Sequence, residues 1–424
     1  MSAFAPIPYT VLSALLGGIV TLCIAYLLTL LLAADRALKR RQDAAGGIPP
    51  VLPRITVVIP AHDEETVLEA TLESLAGQDY PVDRFEVVVV ADNCSDATAA
   101  IARARGARVF ERREPRLRGK GYALDWAFQR LLAAPDPTEA FVIVDADTFV
   151  DHGFLRTMTG RLATGQDVRG RCALQGRYGV LNRGEGWRAA LMDGAFELHN
   201  HVKLLGSERL GLSVGLKGNG MAFTRAVLEQ ARWRGSSVTE DIDYGLDLLC
   251  DHGVRVGYVP EARVLAQMPV TAAQAASQRA RWEEGRSRLL RARCLALLSA
   301  GLRRRDGRLC AAVADLAAPP LAELAGLLLL WGALIALGHA AGWLAGWWYG
   351  AWSGGALGLA AYVLGGLRVA GAPRAAYLAL LRGPAYAAWK FALYASRLLR
   401  GRAEATAPEW VRTARRPIAG KIEP

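Results

Sequence analysis

Between Tyr9 and Ala34 the chain runs for about 26 residues almost without a polar side chain, then meets Asp35-Arg36 with Lys39, Arg40 and Arg41 close behind. No other feature narrows the possible folds as much. At 1.5 Å per residue the run is long enough to cross a bilayer as one helix. Its basic flank places the following segment on the cytoplasmic side, where Lys and Arg are retained. A buried core helix would not need apolarity on every face. The run also exceeds a signal-peptide h-region and lacks a small-residue cleavage site, so no cleaved signal is expected.

Composition agrees with a membrane chain. Among 424 residues, 52% are hydrophobic and only 21% charged, and the mean hydropathy is +0.17. Disorder and a small disulfide scaffold are excluded. The six cysteines (Cys23, Cys94, Cys172, Cys250, Cys294, Cys310) form no CxxC pair and read as reduced thiols. The net charge of +11 is concentrated beside apolar runs: residues 36–41 carry +4, 303–308 carry +3 and 382–424 carry +6, leaving about −2 for the rest. That basicity marks a membrane surface; no nucleic-acid partner is expected.

Apolar runs return at Pro319–Trp343 and Gly354–Ala372, with Trp343, Trp347, Trp348, Tyr349 and Trp352 between them in the pattern of an interfacial aromatic belt. Arg382 and Lys390 make a fourth span costly, so the basic tail is expected to lie on the membrane surface. The expected organisation is therefore a transmembrane helix over 1–41, a cytoplasmic domain over 42–300, transmembrane helices over 301–380, and a basic interfacial helix and cytoplasmic tail over 381–424.

Within 42–300 short apolar runs alternate with amphipathic stretches. Strands are predicted at Ile55–Pro60, Phe85–Val90 and Phe141–Val144, with helices over Glu65–Leu75 and Ala97–Ala104. This α/β alternation implies a sheet with parallel strands and helices on both faces, whose ligands sit beyond the carboxyl ends of the strands. His62-Asp63-Glu64, Asp92-Asn93 and Asp145-Ala146-Asp147 all fall at that edge.

Asp145-x-Asp147 can hold a divalent cation through oxygens, Mg²⁺ or Mn²⁺ being the usual choice beside phosphates; by itself it is also a common surface pair. Asp92 can accept hydrogen bonds from a base or ribose, or cap the helix near Ala97, although Ser95 or Asp96 fits the cap better. Lys120 in Arg118-Gly119-Lys120-Gly121 can neutralise a phosphate or be merely solvated. The GxxxxGK[ST] and GxGxxG spacings are missing, which excludes ATPase and dinucleotide readings. Thr239-Glu240-Asp241 precedes an amphipathic helix over Ile242–His252, whose dipole is expected to keep the carboxylate ionised, either as a plain helix start or as a general base. Gln278, Arg281 and Trp282 share a face of a basic helix running to about Leu298; it can lie on a membrane, or grip phosphate and stack on a sugar. His199-x-His201 has no companion carboxylate at ligand spacing and is read as non-metal.

Taken in this order, Val58-Ile59-Pro60-Ala61-His62-Asp63-Glu64-Glu65, Val90-Ala91-Asp92-Asn93, Gly119-Lys120-Gly121, Asp145-Ala146-Asp147, Gly218-Asn219-Gly220, Thr239-Glu240-Asp241 and Gln278-x-x-Arg281-Trp282 resemble the membrane-embedded family 2 glycosyltransferases, the group of cellulose, hyaluronan and chitin synthases. The resemblance implies a GT-A domain with a mixed, mostly parallel sheet flanked by transmembrane helices. It implies an inverting, metal-dependent transfer from a nucleotide sugar, expected as a UDP-sugar, to a glycan acceptor in cell-surface polysaccharide synthesis. Glu64, Asp92 and Lys120 would contact the nucleotide; Asp145 and Asp147 would hold Mg²⁺ or Mn²⁺ and the donor diphosphate. Asp241 would be the base. Gln278 and Arg281 would hold the diphosphate, and Gly218, Gly220, Glu240 and Trp282 the acceptor. His62-Asp63 stands where Tyr-Asn is common in the family. Three spans are few for a closed channel in one subunit, so a homo-oligomer, an export partner or single transfer to a lipid acceptor are the alternatives; a non-catalytic nucleotide-sugar-binding scaffold is a further one. The implied location is the inner cell membrane, multi-pass.

Overall fold

The computed structural model describes residues 6–41, 52–135, 138–235, 239–268, 272–383 and 385–387. It opens on helix α1 (Pro6–Arg41). The domain that follows is built from β1 (Ile55–Ala61), α2 (Leu68–Ala76), β2 (Phe85–Asp92), α3 (Thr98–Ala104), β3 (Arg108–Arg112), α4 (Lys120–Ala133), β4 (Ala140–Ile143), β5 (Thr148–Val150), α5 (Phe154–Thr164) and β6 (Ala173–Val180). Next come α6 (Trp187–Phe196), a π-helical segment (Glu197–Val202), α7 (Lys203–Arg209), β7 (Met221–Thr224), α8 (Arg225–Gln230), α9 (Glu240–Cys250) and β8 (Val256–Ala266). The last described elements are α10 (Ala272–Arg304), α11 (Gly307–Ala317), α12 (Leu321–Ala340), α13 (Trp347–Ala370) and α14 (Arg374–Leu380).

The eight strands form one sheet in the order β3-β2-β1-β4-β7-β6-β8-β5. β3, β2, β1 and β4 run parallel, as do β6 and β8. β7 runs antiparallel to both β4 and β6, and β5 antiparallel to β8, so the sheet is mixed and mostly parallel. β1 shows why its sequence is an unbroken apolar run: the strand is covered on both faces, and such strands lose the alternation of half-exposed ones. Val58 joins Leu124 and Phe128 of α4 in one apolar cluster. Val57 and Ile59 turn the other way onto Leu68, Leu72 and Leu75 of α2.

The cluster containing Val58 continues without a break through Leu198, Val202, Leu204 and Leu205 to Val20, Ile24 and Leu31 of α1 and Leu324 and Trp331 of α12. Among the described residues three helices are long and apolar enough to cross a membrane: Ile7–Lys39, Leu321–Ala340 and Trp347–Ala370. Small residues let them close up. A β-carbon built at Gly358 on α13 would lie 2.8 Å from Ile24 Cγ2, and one at Gly206 on α7 would lie 2.1 Å from the carbonyl oxygen of Leu30. Gly206→Val therefore must push α7 off α1, an overpacking cost of about 1–3 kcal/mol. The thermal midpoint in detergent is expected to fall by several degrees, whereas Gly77→Ala, which meets nothing nearer than 3.7 Å, leaves it in place.

The third apolar helix starts earlier than its hydropathy predicts. α13 begins at Trp347, so Trp347, Trp348, Tyr349 and Trp352 belong to its first turns and not to a connecting segment. Nothing in 347–353 breaks a helix, and Trp352 Nε1 donates to Leu328 O at 2.9 Å, tying the first turns to α12. The expected basic tail over 381–424 falls mostly on 388–424, outside the described residues.

Candidate active site

The carboxyl ends of β1, β2 and β4 carry the acidic turns. Asp92 closes β2 opposite Arg112 at the end of β3, and the two side chains form a buried ion pair, Arg112 Nη1 donating to Asp92 Oδ1 at 2.5 Å. Asn93, at φ 53°, donates to the same oxygen at 2.9 Å and accepts from Glu114 N at 2.8 Å. Asp92 is therefore fixed by its neighbouring strand and does not cap α3; Asp96 Oδ1 accepts from Thr98 N at 2.9 Å instead. Glu64 is held through its backbone, its N–H donating to Thr98 Oγ1 at 2.8 Å while its carbonyl accepts from Val67 and Leu68 at the start of α2.

A second group converges from four elements. Lys120, first residue of α4, pairs through Nζ with Asp145 and donates to the carbonyl of Gly218 at 2.6 Å. Gly218 has φ +81°, and a β-carbon there would lie 3.3 Å from Asp241 Oδ2 and 3.5 Å from Lys120 Nζ. The start of α9 reaches Lys120 because the second residue of α4 is glycine: a β-carbon at Gly121 would sit 3.0 Å from Glu240 Cγ and from Gly235 Cα. Asn219, fully buried, locks the two turns together. Its Oδ1 accepts from Asp145 N at 3.2 Å and its Nδ2 donates to Thr148 Oγ1 at 2.8 Å. Gln175 of β6 completes the clamp, donating to Asn219 O and accepting from Lys217 N, both at 2.8 Å. Asp147 is buried one residue beyond Asp145's neighbour, 6% exposed. Both aspartates offer only hard oxygen donors, the set that suits Mg²⁺ or Mn²⁺, and two carboxylates leave coordination positions for phosphate and water. Among the described residues the one compact trio of metal-ligating types is Asp63, Cys94 and Asp96. Its carboxylates already serve backbone, Asp63 Oδ1 accepting from Ser95 N at 2.6 Å.

Electrostatics at this group set burial against the helix dipole. The N-terminus of α9 does favour an ionised Asp241, through the N–H of Ile242, but burial outweighs it and pushes the carboxyl up. Glu240 is pushed up more plainly, by burial and then by the adjacent Asp241. These two titrate as a pair. Burial works against the charge of Lys120, and Asp145, Glu240 and Asp241 together overcome it, raising its pKa.

Gln278, Arg281 and Trp282 lie on α10, their side chains outside the described residues. The helix itself is anchored at the site: a β-carbon at Gly285 would meet Thr239 Cγ2 at 2.3 Å. Arg281 is thus about 6 Å along the axis from the contact with Thr239, and Gln278 about 10 Å. Gly220, at φ +67°, turns toward Val264, whose Cγ2 would be 2.8 Å from a β-carbon there; packing alone requires a glycine. The sequence reading missed Arg112, Gln175 and the structural work of Asn219. Arg112 carried a faint signal, a cation closing a strand next to a lone aspartate, but the pairing partner is fixed only by sheet register.

Residues 53–285 match the family described as glycosyltransferase like family 2. The chain belongs to this family, and its mixed sheet with the three acidic turns at one edge is the family's GT-A fold. It is 29% identical over 277 residues to the beta-monoglucosyldiacylglycerol synthase of Synechocystis sp., covering 60% of this chain and 53% of that protein. It is 26% identical over 252 residues to an N-acetylglucosaminyltransferase of Rhizobium meliloti, covering 54% and 55%. Among solved structures, a mannosyltransferase from Pyrobaculum calidifontis in complex with GDP-Man and Mn²⁺ aligns with 83% of this chain and 97% of its own, at 22% identity and a TM-score of 0.47. The chain spans about half the length of the curated relatives it matches.

Proposed function

We propose that this protein is an inverting, metal-dependent membrane glycosyltransferase moving a sugar from a nucleotide sugar, of the UDP class, to a hydroxyl of a glycan acceptor, as in cell-surface polysaccharide synthesis. The observation that carries the reading is the meeting of Lys120, Asp145, Gly218 and Asp241 at one point beside the sheet edge. It unites a cation, a candidate metal ligand, an open backbone and a candidate base. In this reading 1–41 and 301–380 hold the membrane spans, 42–300 is the cytoplasmic transferase domain, and 381–424 lies on the inner face of the cell membrane.

Asp145 and Asp147 would hold Mg²⁺ or Mn²⁺, which when bound supplies positive charge against the donor diphosphate. Asp92 and Glu64 place the nucleoside at the ends of β2 and β1. Lys120, now paired with Asp145, is positioned to turn toward phosphate as negative charge develops on the leaving group. Asp241 takes the proton of the acceptor hydroxyl as that oxygen attacks the anomeric carbon from the side opposite the departing diphosphate, so configuration inverts. Its raised pKa matches this task, since a base works best when its pKa lies near the working pH. Arg281 and Gln278 would steady the diphosphate; Trp282, Glu240 and Gly218 would border the acceptor.

A second reading, single transfer to a lipid acceptor, draws support from the three apolar helices among the described residues, few for a polysaccharide channel formed without a homo-oligomer or export partner. The full chain in nanodiscs, supplied with UDP- and GDP-sugars and Mg²⁺ or Mn²⁺, distinguishes these outcomes. Release of nucleoside diphosphate with a ladder of products supports polymer synthesis, and one added sugar supports the lipid route. No release with any donor, even with membrane lipids added, overturns catalysis and favours the scaffold. Asp147→Asn is expected to lower activity on the order of a hundredfold and to shift the Mn²⁺ titration to higher concentration.

A further inference from the structure

Next to Gly218 stands a group of basic side chains that the reaction above does not use. Lys217 Nζ lies 3.3 Å from His199 Nε2. His199 sits in the π-helical segment Glu197–Val202, a wide turn of the kind that recurs at functional sites. Behind it Lys203 is buried and pairs with Asp315 at 2.7 Å, and Tyr26 of α1 donates to the same carboxylate at 3.1 Å. Arg286 of α10 faces the group from the other side, pairing with Glu323 at 3.4 Å and donating to the carbonyl of Ala318 at 2.7 Å.

Lys203 and Arg286 thus have carboxylate partners, while Lys217 has none within ion-pair distance among the described residues; Asp241 and Asp315 act on it only at longer range. A half-buried ammonium without a counter-ion is costly. The surrounding field records that cost. Burial and then Lys203 push Lys217 down to about 8, and the charge of Lys203, with those of Lys217 and Arg286, holds His199 well below its ordinary value. A neutral His199 accepts from Lys217 through Nε2, which leaves its proton on Nδ1 as a further donor. The position is specific: Lys217 precedes the glycine that faces Asp241, and Lys203 belongs to α7, which packs against α1.

We propose that Lys217 and His199, backed by Lys203 and Arg286, form an anion subsite between the candidate base and the first apolar helix, and that the acceptor presents a phosphate group there. This rests on Asp241 marking the acceptor side of a transferase. The subsite would fix the acceptor's phosphate so that a nearby hydroxyl meets Asp241.

The test uses the full chain in phosphatidylcholine nanodiscs with UDP and Mn²⁺ present, titrated calorimetrically with inorganic phosphate and with dihexanoyl phosphatidic acid. Either anion is expected to bind, with affinity at least tenfold weaker in Lys217→Gln and largely kept in Lys217→Arg. Binding by both probes indicates recognition of the phosphate alone; binding by phosphatidic acid only indicates a lipid headgroup. Should Lys217→Gln fail to fold, as judged by UDP binding, His199→Gln alters an exposed ring and decides the matter by the same weakening. Wild type that binds neither anion, or variants that bind as tightly as wild type, overturn the subsite. UDP binding by the wild type is read separately, so a transferase lacking this subsite is distinguishable from a chain that is no transferase.

Discussion

Asp241→Asn is expected to lower sugar transfer by about 10²–10⁴-fold, the range contributed by a positioned general base, while metal-dependent binding of nucleoside diphosphate persists. The amide keeps the shape of the side chain and removes its basicity. The wild-type pH profile should carry the same information. A base must be deprotonated to act, and burial raises the pKa of both Asp241 and Glu240. Activity therefore falls as pH drops through that raised value, at higher pH than for an ordinary carboxylate. A profile flat through the weakly acidic range, or an Asp241→Asn variant with near wild-type turnover, would remove Asp241 from the role of base.

Arg112→Met is expected to be the most destabilising single change in the domain that does not touch the apolar core. The pair it breaks is buried on both sides, with side-chain exposures of 5% and 6%. Removing one member of such a pair leaves an uncompensated charge and costs about 3–5 kcal/mol. Only the amide of Asn93 would remain on the Asp92 oxygen. Chemical denaturation of the detergent-solubilised chain should show the loss, with nucleotide affinity falling in step because the β2 turn is no longer fixed. The double change Arg112→Met with Asp92→Leu should recover part of the stability and none of the nucleotide affinity. Unchanged stability in Arg112→Met would mean that the pair is solvated in solution.

Much of this was legible in the chain. β1 and β2 are apolar because both faces are covered, and such runs stand out; Asp145-x-Asp147 and Thr239-Glu240-Asp241 were found because each sits at the end of a periodic element. The three apolar helices were visible by length, although the third was placed too late because its early turns are aromatic and glycine-rich. β3, β5, β6, β7 and β8 were not found: β3, β5 and β7 are short strands whose stability comes from their neighbours in the sheet, and in β6 and β8 glycine, proline and charged residues interrupt the apolar run.

The sequence by itself determined which segments are apolar enough to span, the alternation that yields a covered sheet, and the order of the acidic turns, since each depends on residues close together in the chain. Tertiary structure alone decided that Arg112 neutralises Asp92 across β2 and β3, that Gln175 and Asn219 clamp the turns, and that Lys120 reaches Asp145 and Gly218. It also raised the pKa of Asp241 above that of an ordinary carboxylate. The helix dipole is local and could be read from the chain, but burial depends on what packs above the helix, and at this site burial is the larger effect.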